Sequence, residues 1–115
     1  MSEIIKTKNQ TDPVTIKITV NSAAFWEYDY ADRGTHYSGK YNDGNAHTHA
    51  IGFPHELHLS SDAWSFRFIN TTNETTGYSA KIEWFQNADL LHTWSKTDNI
   101  ASNEIKVPVD DGVII

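Results

Sequence analysis

An all-β chain folding as an antiparallel β-sandwich of about seven to nine short strands is what this sequence predicts, and three observations predict it. Apolar residues recur at every second position in one segment after another. The pieces between those segments are rich in Asn, Asp, Ser, Thr and Gly, the residues that make turns. No stretch carries a helical repeat of comparable quality. At 115 residues the chain fits one domain, 1–115, with 1–12 expected to be a loosely held segment.

The strands follow in order. In "VTIKITV" (14–20), Val14, Ile16, Ile18 and Val20 point one way and Thr15, Lys17 and Thr19 the other. In 24–30, Trp26, Tyr28 and Tyr30 share one face, and Phe25, Glu27 and Asp29 the other. The next hairpin is read from Asp43-Gly44, a two-residue turn signal between alternating residues. Centred there, Lys40 faces His47, Ser38 faces His49 and His36 faces Ile51. "HELHL" (55–59) reads as a further strand with His55, Leu57 and Leu59 inward. Trp64, Phe66 and Phe68 alternate with Ser65 and Arg67 in 64–69, and Tyr78, Ala80, Ile82 and Trp84 alternate with Ser79, Lys81 and Glu83 in 78–86. Residues 87–96 are read as a strand rather than a helix, because 86–89 look like a hairpin turn after a strong strand. In 104–109, Ile105, Val107 and Val109 alternate, and Pro108, which cannot donate to a ladder, points to an edge position. The segment 14–20 is a second candidate edge.

Composition narrows the function classes. The formal charge is −6 with only nine Lys and Arg, scattered along the chain. A basic stripe for nucleic acid is missing, and an acidic surface is repelled by anionic lipid. Neither nucleic acid nor membrane insertion is expected as a partner. The chain has no Cys, which removes disulfides, thiol catalysis and Cys-ligated zinc. No apolar run resembles a leader or a span, so a cytoplasmic protein, or one secreted without a cleaved leader, is expected. Three sequons, at Asn9, Asn70 and Asn73, are read as turn-rich sequence. No Gly-x-Ser-x-Gly elbow is present, and the acidic residues show no spacing that suggests paired catalytic carboxylates. An enzyme is not expected.

Four of the six His residues fall in "HTHAIGFPHELH" (47–58). On the hairpin register above, His36, His47 and His49 share one surface, with His36 and His49 as diagonal neighbours roughly 7–8 Å apart. Imidazoles so spaced converge on one ion at Zn–N distances of about 2.0–2.1 Å. His36, His47 and His49 are therefore candidate metal ligands, for zinc or calcium. The preferred reading needs no cofactor. It is a non-catalytic, lectin-like module that binds a glycan or glycoconjugate. Flat aromatic faces suit sugar C–H surfaces, and Asn, Asp and His suit hydroxyls. His36, Tyr37, Tyr41, Asn42, Asp43, Asn45, His47 and His49 supply both within one loop region. On the same register the two Tyr lie on the face opposite the His. The alternative is a structural, self-assembling protein. Phe25, Phe85 and Leu91 lie on polar strand faces, and the apolar Val113, Ile114 and Ile115 are expected either in the sheet or against another subunit. A homo-oligomer is therefore expected.

Overall fold

The computed structural model describes residues 2–115. The chain runs through β1 (Glu3–Ile5), β2 (Val14–Ser22), β3 (Phe25–Asp32), β4 (Thr35–Lys40), a 3-10 turn (Tyr41–Asp43), β5 (Ala46–Gly52), one helical turn α1 (Pro54–Leu57), β6 (Ser61–Ile69), β7 (Thr76–Gln86), β8 (Asp89–Ile100), β9 (Ile105–Lys106) and β10 (Val109–Ile114). Two sheets form. One has the order β1-β10-β6-β3-β4, with β9 also paired to β6, and the other β5-β2-β7-β8. The fold is all-β, and its two sheets pack face to face around one core.

That core is built by the alternation. Val14, Ile16, Ile18 and Val20 of β2 are buried, as are Trp26, Tyr28 and Tyr30 of β3, Trp64, Phe66 and Phe68 of β6, and Tyr78, Ala80, Ile82 and Trp84 of β7. The aromatics fill the gap between the sheets. Trp64 lies edge-on to Trp84 at 5.2 Å, Tyr30 stacks on Trp64 at 5.6 Å, and Phe68 stacks on Tyr78 at 4.1 Å. Pairs at such separations add to plain area burial. Residues 89–100 form a strand, entered through Asn87 in the left-handed conformation (φ 53°).

Four expectations are corrected. The first concerns 14–20: β2 is flanked by β5 and β7, so it is an interior strand. The second concerns 55–59, which is not a strand. Pro54 opens α1 with its φ already helical, and the Phe53 N–H donates to Glu56 Oε1 at 3.0 Å, closing the turn. Leu57 is buried, but His55 is exposed and Leu59 is 66% exposed. The third concerns 104–109, which is not one strand but is divided between β9 and β10. Pro108 splits this segment, although the register against β6 is the same on either side of it. Since β6 turns Trp64, Phe66 and Phe68 inward, the residues opposite Ser65, Arg67 and Ile69 must face out. Ile105, Val107 and Val109 are accordingly exposed, at 52, 52 and 65%. The fourth concerns 1–12, whose described residues from Glu3 onward are tied into the fold. Ile5 is buried in β1, which runs parallel to β10 with Ile4 opposite Val113. The buried Gln86 side chain accepts from the N–H groups of Lys8 and Asn9 and donates to the carbonyls of Asn9 and Asp12. Of the C-terminal residues, Ile114 is buried within the sheet.

Asn70, one of the sequon residues, is buried at the end of β6. Its Nδ2 donates to the carbonyls of Glu74 (2.7 Å), Ile100 (3.0 Å) and Ala101 (3.2 Å), while its Oδ1 accepts from the N–H and hydroxyl of Thr72. The amide is thus engaged in organising the β6–β7 loop. Replacing Asn70 by Ala strands several carbonyls, and is expected to cost about 1–3 kcal/mol in urea unfolding.

Candidate functional site

The sequence predicts one hairpin over 35–51, and the structure does not form it. β4 pairs with β3 in one sheet and β5 with β2 in the other. The chain crosses between the sheets at 41–45. Asp43 ends the 3-10 turn, where its Oδ2 accepts from the Lys40 N–H at 3.1 Å, and Gly44 takes φ 95°, a conformation that favours glycine. The Asp-Gly pair therefore does turn the chain, but out of one sheet and into the other. Lys40 does not face His47, nor Ser38 His49, nor His36 Ile51.

This crossing re-sorts the candidate residues. His36 lies on the outer face, and its Nδ1 sits 3.0 Å from both carboxylate oxygens of Asp29. Tyr37 points inward, with its ring 5.2 Å from that of His49. His47 and His49 also point inward, half-buried between the sheets. Tyr41 is exposed and meets Phe25 edge-on at 4.9 Å. Asn42 is exposed. Asn45 donates to Asn21 Oδ1 at 3.4 Å, and its carbonyl accepts from the Val20 N–H. Tyr37 and the two inward His thus share a side, contrary to expectation, and His36 is separated from them by its sheet. A metal centre on His36, His47 and His49 loses one ligand in consequence. Among the described residues no group of three or more His, Cys, Asp or Glu is placed to hold a metal ion.

What His47 and His49 do is grip Tyr28. The phenolic oxygen lies 2.7 Å from His47 Nδ1 and 2.9 Å from His49 Nε2. The protons follow from the partners. His47 Nε2 faces the Asp43 carbonyl at 3.2 Å, and a carbonyl only accepts, so Nε2 carries the hydrogen. In a neutral ring Nδ1 then accepts, so Tyr28 donates to His47 and His49 donates to Tyr28. Burial, then the charge of Asp43, pushes the Tyr28 hydroxyl up to about 12. Burial, then the neighbouring His47, pushes His49 below the usual imidazole value. Both groups thus favour their neutral forms, and the cluster is a hydrogen-bond relay with little displayed surface. Gly39 makes room for it, since a Cβ there would stand 2.5 Å from both His47 Nδ1 and Tyr28 Cε2.

The open surface is elsewhere, on the outer face of the six-stranded sheet. Three contiguous depressions cross it. One of about 190 Å³ lies among Phe25, Glu27, Lys40, Tyr41, Arg67 and Ile69. The next, about 320 Å³, shares Glu27 and Arg67 with it and adds Asp29, Ser38, Ser65 and Val107. The third, about 470 Å³, shares Asp29 and Ser65 with the second and reaches Ala31, Ala63, Val109 and Asp111. Arg67 Nη1 donates to Glu27 Oε1 at 3.3 Å, directly across the β3–β6 register. Of the predicted residues, His36 and Tyr41 border this face, while Tyr37, His47 and His49 do not. Glu27, Asp29, Ser65 and Arg67 were visible only as the polar sides of two strands. The opposition of Glu27 to Arg67 needed the strand register.

No family model matches the sequence, and no curated protein does either. Among solved structures, the chain is similar to a domain of unknown function, DUF4425, from Bacteroides vulgatus ATCC 8482. The identity is 10%, the TM-score is 0.49, and the alignment covers 90% of this chain and 95% of that one. Among the described residues no helix is long and apolar enough to cross a membrane.

Proposed function

We propose that this is a non-catalytic binding module whose ligand is a neutral saccharide laid across the outer face of the six-stranded sheet. The observation that carries the reading is the continuous trough from Phe25 and Tyr41, past Glu27 and Arg67, to Asp29 and Asp111. Its floor of Ala31, Ala63 and Ser65 lets a flat ring approach the sheet. Tyr41, braced by Phe25, offers an apolar face for sugar C–H groups. The Glu27–Arg67 and Asp29–His36 pairs hold donors and acceptors in fixed positions, which lowers the ordering cost of binding. The trough is open and shallow, which suits an extended chain better than a single enclosed sugar.

Calorimetric titration with a panel of neutral oligosaccharides tests this. Tyr41→Ala and Arg67→Ala are each expected to weaken binding by about tenfold or more, the loss of one good contact. His49→Ala, in a variant that still folds, is expected to bind like the parent protein, and EDTA is expected to change nothing. A parent protein that binds no neutral oligosaccharide at millimolar concentration sinks the reading. A second reading is favoured by the exposure of Ile4, Ile105, Val107 and Val109 along one side of the same face. These residues suit self-association. Sedimentation separates the two, since a strict monomer at high concentration leaves only the first.

A further inference from the structure

The two carboxyl groups least exposed to solvent are Asp32, at the end of β3, and Asp62, in β6; they are 1% and 0% exposed and stand directly opposite each other in the strand register. Two of their four oxygens have donors among the neighbours. Tyr30 donates its hydroxyl hydrogen to Asp62 Oδ2 at 2.5 Å, and Trp84 Nε1 donates to the Tyr30 oxygen at 2.9 Å. Arg33 Nε donates to Asp32 Oδ2 at 2.7 Å. The two Oδ1 atoms are left, both buried and neither facing a donor from another residue. Two carboxylates so placed would be left with unsatisfied, mutually repelling oxygens, at a cost a fold does not tolerate. One proton removes both problems.

We infer that Asp32 and Asp62 share a single proton, carried on Asp62 Oδ1 and donated to Asp32 Oδ1, and that this proton closes a latch joining the two sheets. The asymmetry follows from the partners. Arg33 stabilises the charge on Asp32, so Asp62 is the neutral acid. From Arg33 the chain of contacts returns to the other sheet. Its Nη2 donates to the Ile51 carbonyl of β5 at 3.1 Å, and its Nη1 donates to the Glu56 carbonyl of α1 and lies 3.8 Å from the Glu56 carboxylate. The route thus runs from Trp84 through Tyr30, Asp62, Asp32 and Arg33 to the β5–α1 crossover. The backbone is shaped for it. Arg33 occupies the left-handed region (φ 47°) with Gly34 (φ 79°), the pair of conformations a two-residue hairpin needs. A Cβ on Gly52 would stand 3.0 Å from Arg33 Nη2.

The charged and titratable groups facing the pair are few. They are Tyr30 and Arg33 around β3, Tyr37 of β4 and Glu56 of α1. From β10 the residue opposite Asp62 is Gly112, which adds no charge. Burial, then the hydrogen bond with Asp32, raises the Asp62 carboxyl to about 8, with Tyr30 and Arg33 pulling the other way. The folded chain therefore holds a proton that the unfolded chain gives up at the ordinary carboxylate value. Stability is greatest below that ordinary value and falls as pH rises toward about 8, where the loss levels off.

Thermal unfolding followed by circular dichroism tests the latch. For the parent protein the folding equilibrium constant is expected to fall by up to about tenfold per pH unit between about pH 5 and about pH 8. Asp62→Asn keeps a donor toward Asp32 and an acceptor for Tyr30, so it is expected to fold and to lose that slope. An equal slope in Asp62→Asn, or no slope in the parent, overturns the inference. Carboxyl carbon-13 titration of the parent protein decides the matter should the variant fail to fold. One Asp carboxyl titrating near neutral or alkaline pH is the expected result, and every Asp titrating in the ordinary acidic range overturns it.

Discussion

Trp84→Ala is expected to lower stability by about 3–5 kcal/mol, the largest effect of any substitution considered. Trp84 is fully buried in β7 at the centre of the aromatic layer, 5.2 Å from the ring of Trp64 and 6.3 Å from that of Tyr30. These neighbours are large rings of the facing sheet, and the His92 ring of β8 lies 5.6 Å away in its own sheet. They cannot collapse into the space without moving backbone, so most of the cavity stays open. The loss also removes the indole N–H that Tyr30 accepts. Urea unfolding checks this through a fall in midpoint at unchanged slope. Trp84→Phe is expected to recover part of the loss by refilling the volume without restoring the hydrogen bond. A cost of only about 1 kcal/mol for the alanine variant would mean that the two sheets close over the gap.

Gly39→Ala is expected to cost about 2–4 kcal/mol, which is large for the addition of one methyl group. The new carbon would stand 2.5 Å from His47 Nδ1 and Tyr28 Cε2, well inside contact distance. Tyr28 is anchored in the core and His47 is held by the Asp43 carbonyl, so neither yields freely. Relief requires breaking the Tyr28–His47 hydrogen bond, which leaves a half-buried hydroxyl and ring nitrogen without each other. Nuclear magnetic resonance of the imidazole nitrogens reads this directly. The variant is expected to lose the hydrogen-bonded signature of His47 Nδ1. His47→Ala combined with Gly39→Ala is expected to cost less than the two single changes added together, because the clash then has one partner fewer.

The strands that carry the core were legible because a period of two reports directly which side chains share a face. β2, β3, β6 and β7 show this, with their aliphatic and aromatic alternation. The same period is silent about which strand lies beside which. Periodicity alone therefore leaves β2 a candidate edge although two neighbours flank it, and pairs β4 with β5 across Asp43-Gly44 although they lie in different sheets. Within β5 the alternation correctly kept His47 and His49 on one face. Including His36 depended on the hairpin register, and it failed when the chain changed sheets. Ile105, Val107 and Val109 illustrate the same limit. Their alternation was real, but β6 had already committed its large rings to the inside. The helical turn at 54–57 was hidden because its capping signal, Glu56 reaching back to Phe53, is local and short. The trough on the outer sheet face is not legible as a site, since it joins polar and apolar residues from strands distant in sequence.

The pairing of β1 with β10 has a consequence for how the chain assembles. Residues 3–5 find their partners at 112–114, so this contact closes a loop of nearly the full chain length. Such a contact is entropically among the hardest to form and comes late. The β7–β8 hairpin, by contrast, needs only its own short turn. On a ribosome, β1 emerges well ahead of β10 and must wait for it. Throughout that interval the apolar side of Ile5 and the open edge of β6 have nothing to cover them. The period of greatest exposure to misassembly therefore falls just before β10 emerges, at the edge that the folded sheet hides.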